Sequence, residues 1–253
     1  MADEEGAHDR QGTYLQRGWK FVRARFDPKS HLGLGLTIWL LLCAIGIWAF
    51  SGLLDAVLDN ETLVRTDRLI AAWFTAHDTP TGRATFNVIT QLGSPVVWAL
   101  MAIGAIYLWF AHEHALLVSW VAANLGGKAL EYVIKNTVHR SRPEYSAAYL
   151  HGQSYSFPSG HTMGSTICYL MIAYIIASRP RVSRRAGIIV HLVAIAIIAT
   201  VALSRLYLVV HYLSDVLGGA AAGLAWLSLC GTARHVVVGT GHATAAGTKA
   251  ASA

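Results

Sequence analysis

From Leu32 to Leu54 the chain carries no Asp, Glu, Lys or Arg, and no other feature limits its fold so strongly. A helix needs about 20 mostly apolar residues to cross a bilayer. Within hydrocarbon each backbone N–H and C=O must be satisfied inside the protein, so a lone run of this kind spans as a helix. More runs follow. Ala84 to His112 is equally free of charge, its most apolar part running from Pro95 to Ala111. A third run reaches from Ala115 to Ile134, interrupted by Lys128 and Glu131. The fourth covers Ser159 to Ala177, the fifth Gly187 to Leu203 and the sixth Tyr212 to Cys230. Composition agrees: 13% of the 253 residues are charged, against about 25% in ordinary globular domains. The expected fold class is all-α, a polytopic membrane protein with six transmembrane helices.

Three segments are expected: a basic cytoplasmic stretch (1–31), a six-span membrane domain (32–230) and a disordered tail (231–253) rich in Gly, Ala and Thr. The first stretch lacks the short apolar core and cleavage site of a signal peptide, so it is expected to be retained, with the first span as insertion signal. Lys and Arg mark the cytoplasmic side. With six spans, the amino-terminal stretch, the Arg179–Arg185 loop and the tail share one side, which holds 12 Lys and Arg against seven on the other. Both termini are therefore expected in the cytoplasm of a cell-membrane protein. The net charge of +6 then reflects topology and contact with the bilayer, not nucleic acid. Cys43, Cys168 and Cys230 sit in apolar runs, with spacing that suits neither a metal site nor a disulfide framework.

Three loops face outward on this topology. Asp55 to Gly93 is long, and its "TDRLIAAWFTA" stretch suits either a helix lying in the interface or a packed outer helix. Lys135 to Pro158 and Arg205 to His211 hold most of the remaining polar chemistry. Lys135, Arg142 and Arg205 supply positive charge, and guanidinium forks bind phosphate oxygens in pairs. "PSGH" (Pro158, Ser159, Gly160, His161) opens the fourth span, where helix N–H groups face outward and an anion can bind. Ser159 there is also a good helix N-cap. His211 and Asp215 are four apart, so they share a face if the sixth span has begun. The carboxylate then fixes the imidazole tautomer and leaves the other nitrogen to attack. His161 suits a general acid. His139, His151 and His191 read as structural. His161, His211 and Asp215 are chemically able to hold a metal, but the surrounding cations would repel one, and no metal or other cofactor is expected. Lys128, Glu131 and Lys135 share a face of the third span, with Glu131 neutralising its neighbours.

Three pieces together, Lys-x6-Arg-Pro, Pro-Ser-Gly-His and Ser-Arg-x5-His-x3-Asp, resemble the signature of the type 2 phosphatidic acid phosphatase superfamily. Lys135, Arg142, Pro143, Pro158, Ser159, Gly160, His161, Ser204, Arg205, His211 and Asp215 fill every position. The resemblance implies a metal-independent phosphatase with a six-helix core and a phosphohistidine intermediate. It implies His211 as nucleophile, Asp215 as its orienting partner and His161 as acid, with Lys135, Arg142, Ser159, Gly160, His161 and Arg205 holding the phosphate. The substrate implied is a lipid phosphate or diphosphate at the outer membrane face, such as undecaprenyl diphosphate, phosphatidylglycerol phosphate or phosphatidic acid. Lipid phosphotransfer by the same residues is one alternative, and a non-catalytic lipid-binding or transport protein another. A vanadate haloperoxidase, similar in its anion pocket, is disfavoured by the six spans.

Overall fold

The computed structural model describes residues 33–59, 61–143 and 155–251, with side chains described as far as Val237. All regular structure among them is helical. The elements are α1 (Leu34–Asp59), α2 (Glu61–Ala76), α3 (Pro80–Ile89), a 3-10 turn (Thr90–Gly93), α4 (Pro95–Phe110), α5 (His114–Val138), α6 (Gly160–Ala177), α7 (Arg184–Tyr207) and α8 (Leu213–Ala251). Five segments are long and apolar enough to cross a membrane: α1, Pro80–Phe110, α6, α7 and Leu213–Val237. The second of these starts at Pro80, a little before the expected Ala84. The third expected span, α5, has the length, but it carries Lys128, Glu131 and Lys135 and does not reach the apolarity of the others. The backbone stays helical past Cys230, where the sequence reading ends the membrane domain.

The chain divides into two units, residues 43–230 and residues 1–42 with 231–253. The larger unit contains all the site chemistry. Within it α6 is the most buried of the apolar helices. Its neighbour α8 comes very close: a Cβ on Gly219 would lie 2.5 Å from the Ser159 carbonyl oxygen, and one on Gly223 would lie 2.9 Å from that of Met163. Small residues one turn apart are what membrane helices use to bring backbones together. That approach sets the start of α6 against the start of α8. Large apolar side chains of α7, Ile189 and Leu192 among them, stay exposed, as a lipid solvent allows.

The helix ends follow from local chemistry. Thr79 caps α3, accepting from the Gly82 N–H at 3.1 Å, and Pro80 occupies the first turn, where its missing N–H costs nothing. Ser183 caps α7 the same way, accepting from Ala186 N at 3.2 Å.

Candidate active site

His211 lies in the short turn between α7 and α8. The turn is tight: Val209 takes a left-handed φ of 51°, a conformation a β-branched residue rarely adopts. Behind it, the Val210 N–H returns to the Arg205 carbonyl at 3.2 Å. α8 starts at Leu213, so His211 and Asp215 do not sit on successive turns of one helix as the spacing argument assumed. They meet across a helix start instead. Asp215 reaches back to accept the Tyr212 N–H at 2.8 Å, as the acidic member of a capping box does. The same Oδ2 stands 3.4 Å from His211 Nδ1.

Asp215 is fully buried and held on every side. Ser156 Oγ donates to its Oδ2, and Arg140 donates to its Oδ1 at 2.5 Å. Arg140 also donates to Asp67 of α2 at 2.8 Å, and its guanidinium lies over the Tyr212 ring. Asp67 is itself buried. It accepts from the Ser214 N–H at 3.1 Å and from the Ser214 hydroxyl. A carboxylate from the first loop therefore caps the helix that carries Asp215. The amphipathic stretch around "TDRLIAAWFTA" is a helix whose Asp67 faces the protein.

On the other side of the imidazole, Arg142 NH1 donates to the Val210 carbonyl at 2.8 Å and lies 3.2 Å from His211 Nε2. A guanidinium can only donate. Nε2 must therefore accept, and Nδ1 carries the hydrogen and faces Asp215. Burial, with Arg142 and Arg205 adding to it, outweighs the Asp215 carboxylate and pushes the His211 pKa down to about 4. The ring is neutral at physiological pH, with its Nε2 lone pair among cations.

Those cations come from separate elements. Lys135 ends α5 and is 3.1 Å from Glu131, which Lys128 also meets at 2.8 Å. Glu131 thus stands between the two lysines, as the sequence suggests. Arg205, near the end of α7, donates to Thr90 Oγ1 of the 3-10 turn at 2.7 Å. Its Nε is buried with no acceptor among the described residues. Arg142 lies within electrostatic reach of both Lys135 and Arg205. His161, in the first turn of α6, is in reach of Arg205, His211 and Lys135.

Ser159 is the N-cap residue of α6, but its side chain bonds no helix amide. Its hydroxyl accepts from Thr162 Oγ1 at 3.1 Å, and its N–H donates to the Asp215 carbonyl at 2.9 Å. The Ser159 amide is thus used inside the protein, while Gly160 and His161 are first-turn residues whose N–H groups have no intrahelical acceptor. Gly160 has a packing reason as well: a Cβ there would sit 1.8 Å from the Glu131 carboxylate. All eight sequence-derived site residues therefore belong to one neighbourhood at the starts of α6 and α8 and the ends of α5 and α7.

His139 caps α5 with a left-handed φ of 53° and meets the Tyr155 ring edge-on. His191 Nδ1 lies 2.8 Å from the Gly187 carbonyl inside α7. His151 is outside the described residues. Sequence reasoning missed Asp67, Thr90, Arg140 and Ser156. Arg140 carried a signal, lying two residues before Arg142 in "HRSRP"; Asp67 carried none, since nothing local marks an acid in an amphipathic helix as buried. Among the described residues no three His, Cys, Asp or Glu side chains are grouped to hold a metal ion.

Residues 115–236, which contain all eight sequence-derived site residues, match the model of the PAP2 superfamily. That segment is a PAP2 superfamily domain, and the chain is a multi-pass membrane protein. Phosphatidylglycerophosphatase B of Bacillus subtilis (strain 168) is 38% identical over 97 residues, an alignment covering 38% of this chain and 47% of that relative. The chain thus matches a little under half of the curated relative's length. The crystal structure of a transmembrane PAP2-type phosphatidylglycerolphosphate phosphatase from Bacillus subtilis is similar with a TM-score of 0.66 at 27% identity, covering 74% of this chain and 94% of that one.

Proposed function

We propose that this protein hydrolyses a membrane lipid phosphate or diphosphate without a metal ion, through a phosphohistidine on His211. One observation carries the reading: His211 is held by Asp215 through Nδ1, while its Nε2 faces Arg142 inside a cluster of cations. In the first step Nε2 attacks phosphorus and the bond from phosphorus to the lipid oxygen breaks. His161 gives its proton to that oxygen. Water then attacks the phosphohistidine, His161 takes a proton from that water, and the P–N bond breaks to release phosphate. Lys135, Arg142, Arg205 and the first-turn amides of α6 hold the phosphoryl oxygens, where negative charge grows in the transition state. Fixed cations suit this task because they need no reorganisation as the charge develops.

In this reading residues 32–230 form the membrane domain and α5 is its third span, which completes the six. Its buried charges are tolerated because Glu131 bridges Lys128 and Lys135. α2 lies along the outer interface, the termini are cytoplasmic, and the site faces outward, so the lipid tail stays in the bilayer while its head reaches the cluster. The similarity to phosphatidylglycerophosphatase B favours a glycerophosphate head group among the candidate substrates.

The test is phosphate release by the purified chain from phosphatidic acid, phosphatidylglycerol phosphate and prenyl diphosphates, with EDTA and with vanadate. Activity should survive EDTA and fall with vanadate. His211→Ala should lose more than the roughly 10²–10⁴-fold expected for an acid–base group. Labelled substrate should leave an acid-labile, base-stable phosphate on the peptide containing His211. Activity that EDTA abolishes and Mg²⁺ restores, or near-normal turnover by His211→Ala, refutes the mechanism. For sidedness, a cysteine placed at Ser146 should react with an impermeant maleimide in intact cells, and one at Ser183 should not, in a background lacking native cysteines.

A further inference from the structure

A cavity of about 450 Å³ opens beside the cation cluster, between α2 and the segment after α5. Arg142 lines it, so it adjoins the place where the transferred phosphoryl group sits. Among the described residues, its other charged lining residues are Arg65 and Arg68 of α2, which no part of the family signature contains. These two are three apart and share one helical face, and Leu69 and Ala72 continue that stripe along the cavity wall. One end of the wall is thus cationic and the other apolar.

The helix that presents this stripe is pinned. Asp67 is buried and bound to Arg140 and Ser214, which fixes how far α2 is rotated and how deep it sits. Arg65 and Arg68 are therefore placed by a buried contact, although their own side chains are exposed. Arg68 is also close enough to Tyr212, another lining residue, to act on its phenol electrostatically. A single phosphate monoester is already matched by Lys135, Arg142 and Arg205. Two more guanidinium groups in a continuous cavity exceed what one phosphate needs, and guanidinium forks recognise phosphate oxygens in pairs.

We propose that Arg65 and Arg68 form, together with Arg142, a second anion subsite that takes a second phosphate of the same lipid, and so select lipids with two phosphates over lipids with one. This rests on the phosphatase reading above. The second phosphate is either the inner phosphate of a lipid diphosphate or the phosphodiester of a glycerophosphate head; the shared chemistry is an anionic phosphate next to the scissile one. Leu69 and Ala72 line the path by which the apolar part leaves the cavity.

Two measurements on the full chain in neutral detergent test this. In the first, calorimetry compares inorganic pyrophosphate with orthophosphate. Wild type should bind pyrophosphate about tenfold more tightly or better, since each charge-assisted hydrogen bond gained is large enough to supply that factor. Arg65→Gln with Arg68→Gln should erase most of the difference and keep orthophosphate binding. Arg184→Gln with Arg185→Gln, at the start of α7, removes the same charge elsewhere and should keep the difference. In the second, kcat/KM is compared for phosphatidic acid, a prenyl diphosphate and phosphatidylglycerol phosphate. The Arg65/Arg68 double variant should lose about tenfold or more on the two-phosphate lipids and little on phosphatidic acid. The lipid with the larger loss identifies the source of the second phosphate. An unchanged pyrophosphate preference, or an equal fall on all three lipids as general attraction to anionic headgroups would give, overturns the subsite. If wild type releases phosphate from no lipid, the phosphatase reading fails, and the calorimetry still decides the subsite.

Discussion

On one side of His211, Arg140 gives its guanidinium to two carboxylates, Asp67 and Asp215. On the other, two residues along the same segment, Arg142 meets a backbone carbonyl and the imidazole. Burial pushes the pKa of both arginines down. At Arg140 the two carboxylates outweigh it and the pKa ends above the ordinary value; at Arg142, Asp215 and Glu131 offset burial only in part and it ends below. Behind the ring two carboxylates share one guanidinium, whereas in front of it, among the described residues, Lys128, Lys135, Arg142 and Arg205 stand with Glu131. The back wall holds Asp215 still, and so fixes which nitrogen of His211 carries hydrogen. The front is short of negative charge, which a phosphate supplies. The same side chain thus serves as scaffold in one position and as ligand holder in the other, according to the acids that reach it.

The contrast can be broken at its two arginines, and the larger effect on turnover is expected in front. Arg142→Gln should lower kcat/KM by roughly 10²–10³-fold, the loss seen when one donor to a developing oxyanion is removed. Thermal unfolding should change less than for Arg140→Gln, because Asp67 and Asp215 keep Arg140. A variant that melts early while keeping its turnover per folded molecule contradicts this assignment.

Arg140→Gln should show the reverse balance. It leaves Asp67 and Asp215 buried without their cation, and breaking a buried pair from one side typically costs about 3–5 kcal/mol. Denaturation in detergent should report that loss. Adding Asp67→Asn should recover part of it, since residues of one network couple by about 0.5–3 kcal/mol. Strictly additive losses would show that the two do not act as a unit.

Ser156→Ala probes the back wall more gently. It removes one hydroxyl from a carboxylate that keeps Arg140, His211 and the Tyr212 amide. A cost of about 1–3 kcal/mol in stability is expected, with a modest fall in kcat. A loss of turnover as deep as that of His211→Ala would place Ser156 in the chemistry itself.

The last probe is a proton. His211 keeps its neutral form down to about pH 4, while the unfolded chain takes up this proton near pH 6.5. Above pH 6.5 neither state binds it and the group contributes no pH dependence. As pH falls from 6.5 towards 4 the unfolded state gains a proton that the folded state refuses, so stability declines over that window and levels off below it. Nitrogen-15 spectra of histidine-labelled protein should show one ring, absent in His211→Gln, titrating near pH 4. A midpoint between 6 and 7 would mean that burial does not govern the site.

Much of this was legible in residue order. The apolar runs needed only their length and lack of charge, and each of the expected spans is a helix. The ligand-type residues were legible because Lys135, Arg142, His161, Arg205, His211 and Asp215 sit next to helix ends, where chain direction and spacing place them at one level. Short-range spacing also made the Lys128–Glu131–Lys135 ladder readable, since one helix holds all three.

What residue order could not contain is the fate of each polar atom once separate helices meet. The His211–Asp215 contact was inferred from a helical spacing that does not exist, and it forms because Asp215 caps α8 from inside the first turn. Asp67 lies 148 positions before Asp215 in the numbering, and only folding brings it against Arg140 and Ser214. Whether a given arginine is occupied by acids or kept for a ligand depends on which carboxylates arrive from other helices, because charge interactions depend on distance and burial, not on sequence separation. Periodicity and composition determined that the chain enters the membrane and which residue types cluster at one face. Tertiary packing decided that Asp67 faces inward, that Arg140 is neutralised, and that Arg142 is left to face the imidazole.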